Sequence, residues 1–298
     1  MRHPYFRLRL RNGVVWSLAL PLLALGGFIL RPLEQQSRAH ELQVGLLLPT
    51  PGSDVHDRMN QQLYFFAMGG LRTLAAEILA MDATEAWLVQ DWPRARRRWE
   101  QITALCPRRP SYWSRAARDM SKNAVAYVNA DKSLNEHERI TQVMEYLNAA
   151  EQFYQQGLAA NPDSLLLQLD LAAYYEDLAR RPNFTKAVEA YRKALSMGAS
   201  DMYQRWVFYN LCRIRGREQE AWELGRQLFR NPRHHTPSMR CLLFALEHRL
   251  ALPQQERLSV EELFKTDARA RKQLQSYLHN TLRFPVYGVA EYLNSPAQ

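Results

Sequence analysis

Only a few residues of this sequence have the types and spacing that catalysis or metal binding requires. Asp54, His56 and Asp57 could together hold a hard cation, but they lie in a stretch punctuated by proline and glycine, which is a poor scaffold for fixed ligand geometry. His234 and His235 are adjacent and follow a proline, so their side chains diverge, as is typical of a solvated loop pair. We therefore expect no metal site.

The sequence also lacks the short motifs that carry common enzyme chemistries. It contains no HExxH metalloprotease motif, no GxxxxGK[ST] phosphate loop, no GxGxxG dinucleotide fingerprint and no GxSxG nucleophile elbow. Glu176 and Asp177 are the one adjacent acidic pair near a predicted groove, and acid–base chemistry would need such converging carboxylates. We expect a protein without catalytic residues or a cofactor.

The composition favours a folded, helical chain. Of the 298 residues, 47% are hydrophobic and 23% are charged, whereas only 12 are glycine, which favours helices over a turn-rich β architecture. The net charge of +9 suits an acidic partner or a lipid headgroup surface, but it is too dispersed for a nucleic-acid-binding protein. Cys106, Cys212 and Cys241 form no CxxC pair, and we expect them to be buried thiols.

An uncharged run of 18 residues, Gly13 to Leu30, predicts a transmembrane anchor. A basic tail over residues 1–12 precedes it, so the positive-inside rule puts the N-terminus in the cytoplasm and residues 31–298 on the far side. The alternative is a cleavable signal peptide, with a small-x-small site at Ser37-Arg38-Ala39. Proline, glycine and serine then mark residues 31–58 as a linker, and a helical pattern follows over residues 59–298.

Four stretches repeat a pattern of small and large residues at helical spacing. Small residues let two helices approach closely, a large residue fills the gap between them, and proline ends the helix. The stretches are Ala150, Tyr154, Gly157 and Pro162; Ala187, Tyr191 and Ala194; Ala95, Trp99 and Pro107; and Ala221, Gly225 and Pro232, in which Gly225 replaces the large residue. Each resembles the second helix of a tetratricopeptide-repeat (TPR) unit, and the anchoring residues Ala187 and Ala221 are 34 residues apart, which is the TPR length.

The resemblance implies an all-α fold in which TPR-like units form a solenoid. We expect three to four units over residues 70–232 and capping helices over residues 236–298, because a terminal repeat must cover the apolar face of the last unit. An irregular helical bundle is the alternative.

A second resemblance concerns residues 60–120, which are similar to the start of bacterial membrane-anchored TPR proteins of the cell envelope. The residues that carry it are Gly70, Leu71, Arg72, Ala75, Ala76, Glu77, Pro107 and Trp113. It implies a location at a bacterial inner membrane, with the helical domain in the periplasm.

Two surfaces are candidates for binding. In TPR units, four positions of the first helix face a peptide groove, and in the fourth unit these positions are Tyr203, Trp206, Asn210 and Arg213. An aromatic pair beside an amide and a guanidinium suits a peptide backbone and a carboxylate. The alternative is that Trp206 packs between helices.

The second candidate is a basic patch that could dock an acidic protein segment or anionic lipid. Its members are Arg94, Arg96, Arg97, Arg98, Arg108, Arg109, Arg115 and Arg118. The alternative is a solvated helix surface on which arginine stems cover apolar rows.

Together these observations predict a protein–protein interaction scaffold or adaptor in a bacterial envelope assembly, such as a surface, secretion or pilus-like apparatus. Its expected partners are a protein or peptide and the lipid bilayer, without nucleic acid or a small-molecule substrate. Two alternatives stay open: an envelope enzyme that carries TPR units, and a regulatory subunit of a membrane enzyme.

Overall fold

A computed structural model describes residues 72–279 and 284–296 of the chain. These residues form helices and turns, with no strand among them, which confirms the all-α prediction. Within this part of the chain, no helix combines the length and the apolar character needed to cross a bilayer. The basic tail, the anchor over residues 13–30, the linker and the Asp54–Asp57 cluster lie outside the described residues.

The chain divides into two compact units, with the boundary between Leu167 and Gln168. This boundary falls within helix α6, Leu165–Glu176. Before it, unit 1 contains α1 (Arg72–Leu88), α2 (Trp92–Leu105), α3 (Pro110–Arg118), a π-helical turn (Asp119–Ala124), α4 (Val125–Ala130) and α5 (Glu136–Ala160).

Local sequence signals set the helix starts in unit 1. The Asp91 side chain accepts a hydrogen bond from the Arg94 backbone N–H at 3.0 Å, which caps α2. Asn135 and Glu138 form a capping box at the start of α5, in which each side chain accepts from the other residue's backbone N–H. In the packed unit, α1 lies against α2, and α5 lies against the continuous helix formed by α3, the π turn and α4.

Unit 2 contains a longer series of short helices. They are α7 (Phe184–Ser196), a 3-10 turn (Asp201–Tyr203), α8 (Gln204–Leu211), α9 (Glu218–Phe229), a 3-10 turn (Pro232–His234), α10 (Pro237–Arg249), a 3-10 turn (Gln254–Glu256), α11 (Val260–Phe264), α12 (Asp267–His279) and α13 (Val289–Asn294). Consecutive helices pack on one another from α7 to α10. Fully buried side chains such as Phe208, Leu243 and Phe264 form their shared core.

The small and large residues of the four repeated stretches are buried, as their pattern predicts. The buried set is Ala95, Trp99, Ala150, Tyr154, Gly157, Ala187, Tyr191, Ala194, Ala221 and Gly225. A Cβ atom added at Gly225 would lie 2.5 Å from Phe208 Cε2, so the missing side chain is what lets α8 approach α9. Cys212 and Cys241 are buried free thiols, which confirms that prediction, whereas Cys106 is half-buried.

Replacing Gly157 with alanine should destabilise the protein. The new Cβ would lie 2.8 Å from both Cβ and Cγ of Trp113, and overpacking of this kind costs about 1–3 kcal/mol. Urea denaturation of the full-length protein, followed by circular dichroism, measures the change. Gln156→Ala, at an exposed position of the same helix, is the control and should shift the free energy of unfolding by less than about 0.5 kcal/mol. Equal stability of Gly157→Ala and the unmodified protein would contradict this close approach.

Candidate functional site

The four residues predicted to form a groove belong to one short segment of unit 2. Tyr203 ends the 3-10 turn before α8, Trp206 and Asn210 lie on α8, and Arg213 lies in the turn that follows it. The Ser200 hydroxyl accepts a hydrogen bond from the Met202 backbone N–H and so caps the start of the 3-10 turn. The segment therefore presents its side chains from a short, locally capped element.

Asn210 is fully buried and donates a hydrogen bond to the carboxylate of Glu176, a pairing that the sequence analysis did not predict. Its Nδ2 donates hydrogen bonds to Glu176 Oε2 at 2.8 Å and to the Trp206 carbonyl at 2.8 Å. The hydroxyl of Tyr191, on α7, is a second hydrogen-bond partner of Glu176. We call Glu176, Tyr191 and Asn210 the Glu176 network. It joins the end of α6, the middle of α7 and the end of α8.

Burial raises the pKa of Glu176, because desolvation penalises its charged form. The hydrogen bonds from Asn210 and Tyr191 and the positive charge of Arg213 oppose this rise without cancelling it. Burial beside the Glu176 carboxylate also raises the pKa of Tyr191 far above its ordinary value. The Tyr191 hydroxyl therefore keeps its proton and serves as a hydrogen-bond donor.

An aromatic surface lies directly over this network. The Tyr191 ring stacks against Tyr203, with centroids 5.9 Å apart and planes 23° apart, and against Trp206, at 6.4 Å and 18°. A T-shaped contact with Tyr209 at 5.9 Å holds Trp206 from another side. Even so, 40% of Trp206 is exposed, as is 47% of Met202 one turn earlier. We call Met202, Tyr203 and Trp206 the Trp206 surface.

Arg213 is engaged by aromatic rings of its own chain. Its guanidinium carbon lies 3.9 Å from the centroid of the Phe284 ring and 5.2 Å from that of Phe184. Phe284 also meets the edge of Tyr209, at 6.4 Å between centroids. Cation–π contacts of this kind stabilise a partly desolvated guanidinium, so Arg213 supports the site from within.

The structure thus divides the predicted groove residues into two kinds. Tyr203 and Trp206 contribute to the surface, whereas Asn210 lies wholly beneath it and Arg213 is half-buried against phenyl rings. Trp206 was expected either to face a groove or to pack between helices. In the structure its ring packs on Tyr191, and 40% of the residue is exposed.

Sequence reasoning missed Glu176 and Phe284 as partners of these residues. Glu176 is 34 residues from Asn210, and helical periodicity carries no information about such long-range pairs. The available signal was a carboxylate at the end of the mostly apolar stretch LLLQLDLAAYYE.

The acidic pair that the enzyme alternative would need is already engaged within the protein. Asp177 Oδ2 lies 2.5 Å from Nη1 of Arg180, while Glu176 belongs to the network with Asn210 and Tyr191. The two carboxylates therefore have separate partners.

The histidine pair is not the solvated loop that the sequence predicted. His234 is buried, with Nε2 3.4 Å from an oxygen of Asp201, and His235 stacks on Phe229 at 4.0 Å between centroids. That prediction is wrong because the 3-10 turn Pro232–His234 directs the first imidazole inward. Over the described ranges, 72–279 and 284–296, no cluster of three or more histidine, cysteine or acidic side chains is arranged to hold a metal ion.

The basic patch lies in unit 1, and seven of its eight arginines contact neighbouring groups there. The contacts are Arg94 and Arg98 with Asp82, Arg96 with Glu100 and Glu145, Arg108 with the Ala160 carbonyl, Arg109 with the Tyr112 hydroxyl, Arg115 with Thr84 and the Trp99 ring, and Arg118 with Ser114. Arg97 is exposed. Carboxylates therefore neutralise part of the positive charge, and docking of an acidic partner at this patch stays a prediction.

No protein-family model matches this chain, and no curated protein matches it either.

Replacing Glu176 with glutamine should change how stability depends on pH. A carboxyl group whose pKa is raised in the folded state binds its proton more tightly there, so stability falls as pH rises from its ordinary value of 4.5 through the folded value. The Glu176→Gln variant has no carboxyl group to ionise at this position, so it does not lose this stability as pH rises. Its free energy of unfolding relative to the unmodified protein should therefore rise with pH, by at most about 1.4 kcal/mol per pH unit within that window.

Urea titrations between about pH 2 and pH 8 measure this difference, and Glu220→Gln provides a control of opposite sign. Burial would raise the pKa of Glu220, but hydrogen bonds from Arg217 and Arg192 outweigh it and lower that pKa. Glu220 therefore contributes stability that is lost as pH falls from 4.5 through the lower folded value, and its variant should lack that acid-side loss. Parallel pH profiles for Glu176→Gln and the unmodified protein would contradict a raised pKa of Glu176 in the folded state.

Proposed function

We propose that this chain is a membrane-anchored, TPR-like scaffold that binds a segment of another protein through the Trp206 surface. The observation that carries the proposal is the combination of exposure and rigidity at Trp206. Its indole is 40% exposed, yet Tyr191 and Tyr209 hold it from two sides and Asn210 bonds its backbone carbonyl. An aromatic side chain that is already immobilised loses little conformational entropy when a partner covers it.

Helix order and close helix packing support the TPR-like part of the proposal. In unit 2, the helices from α7 to α10 each pack on the next along the chain. The small residues Ala187, Ala194 and Ala221 are fully buried at positions where a TPR unit has its close contacts. The anchor rests on the uncharged run over residues 13–30.

The chemistry of the surface indicates what kind of segment would bind. Met202 and Trp206 offer an adaptable thioether and a large rigid ring, which suit an apolar side chain on an extended or helical peptide. Because Asn210 and Arg213 are engaged within unit 2, recognition of a peptide carboxylate is not part of the proposal. A role in a bacterial envelope assembly rests on analogy with anchored helical-repeat proteins.

Trp206→Ala should weaken partner binding strongly while leaving the fold intact. We suggest crosslinking the full-length protein in membranes, isolating it, identifying what it captures and then measuring the affinity of the purified partner. Loss of a central aromatic side chain typically costs about 2 kcal/mol or more, which corresponds to at least roughly 30-fold weaker binding.

Trp87→Ala is the matched control, because this tryptophan of unit 1 is 41% exposed. It should leave the affinity unchanged. Equal affinities for Trp206→Ala and Trp87→Ala would refute the assignment of the Trp206 surface. Absence of any defined partner would refute the scaffold proposal itself.

A further inference from the structure

Arg240 is a buried arginine of unit 2 that has no counter-ion. It is the fourth residue of α10 and is only 9% exposed. Within residues 72–279 and 284–296, no oxygen accepts a hydrogen bond from its guanidinium group. No nitrogen of this group is both fully buried and unbonded, so its donors reach solvent from a largely buried side chain. Because a buried charge is normally paired, these donors are available to a ligand.

A second arginine lies close to Arg240. Arg269 is the third residue of α12, which packs on α10, and its exposed side chain also has no acceptor in the described part of unit 2. Burial lowers the pKa of Arg240, and the positive charge of Arg269 lowers it further. The other group that acts on Arg240 is the thiol of Cys241, whose pKa is raised by burial to about 12, so it is uncharged at neutral pH. Two like charges are therefore close together.

The helix ends add to this positive charge. Both arginines lie about one turn from the start of a 13-residue helix, where the free backbone N–H groups favour an anion and disfavour a cation. The carboxylate nearest to Arg269 in sequence is that of Asp267, which lies about 200° around α12 from it. Asp267 accepts hydrogen bonds from Arg271 at 2.8 Å and from the Tyr292 hydroxyl, so it has other partners.

We propose that Arg240 and Arg269 together bind a phosphate group. Each guanidinium offers paired N–H donors in a plane, which match two oxygens of a phosphate. A phosphate monoester carries a charge of about −1.5 to −2 at neutral pH, which balances two arginines, whereas a carboxylate carries only one charge. A packed arginine stem with its head in water would explain Arg240 alone, but not a second unpaired arginine beside it. The phosphate is either the free ion or the headgroup of a lipid.

Titration calorimetry with inorganic phosphate tests this proposal. The full-length protein is placed in phosphatidylcholine nanodiscs and titrated at constant ionic strength. We expect saturable binding of one phosphate per chain. Arg269→Gln should weaken this binding at least roughly tenfold, because it removes charge-assisted hydrogen bonds at an exposed position. Arg240→Met keeps an unbranched apolar stem in the buried site and should cause a similar loss.

Arg215→Gln is the matched control, because it removes the same charge from another exposed arginine of unit 2. Arg215 precedes α9, whose first residue, Glu218, lies 3.7 Å from Arg249 at the end of α10. It is therefore far along α10 from Arg240, and the affinity for phosphate should be unchanged. Circular dichroism checks that each variant is folded. Absence of saturable binding, or equal affinities for Arg269→Gln and Arg215→Gln, would overturn the proposal.

The lipid composition of the nanodiscs separates the two sources of phosphate. Phosphatidic acid presents a phosphate monoester, whereas phosphatidylglycerol gives a negative surface that contains only phosphate diesters. Equal binding of added phosphate in both kinds of disc would assign the site to the free ion. Loss of this binding only in discs with phosphatidic acid would assign the site to a lipid headgroup.

Discussion

The candidate site depends on the hydrogen bonds that the half-buried carboxylate of Glu176 receives from Asn210 and Tyr191. A carboxyl group taken out of water is costly unless its oxygens receive hydrogen bonds, so the positions of Asn210 and Tyr191 are closely constrained. Those two residues lie on α8 and α7, and Glu176 ends α6. These two hydrogen bonds to one carboxylate therefore connect three helix segments of unit 2.

The consequence for the surface is rigidity. Asn210 uses its second amide proton on the carbonyl of Trp206, which holds the backbone at the most exposed aromatic residue of the site. Tyr191, whose hydroxyl bonds Glu176, presents its ring to Trp206 and Tyr203. The polar network below and the aromatic surface above are thus parts of one arrangement. A partner would meet a surface that needs little ordering.

Patterns within one helix predicted the fold class and the packing residues, because the spacing of small and large residues records which side of a helix is buried. Ala187, Tyr191 and Ala221 are buried as expected. Contacts between distant segments cannot be predicted from the spacing of residues within one helix. Glu176 and Asn210 are paired across 34 residues, and Arg213 stacks on Phe284 from much further along the chain.

The same limit explains the π-helical turn and the histidine pair. In unit 1, Asp119 begins the π turn and accepts a hydrogen bond from the Trp99 indole at 2.9 Å, a partner on a different helix. His234 is buried beside Asp201, which precedes it by more than thirty residues. Neither contact follows from local composition, since each depends on how separate helices come together.

The measurement that tests the central claim most directly is site-specific photo-crosslinking at Trp206 in the intact membrane. A benzophenone amino acid at position 206 reports what lies against the exposed indole, and the same group at Trp87 reports on a tryptophan of similar exposure in unit 1. We expect one discrete crosslinked protein from position 206 and none in common with position 87. Crosslinks that are the same from both positions, or no crosslinked protein from position 206, would contradict it.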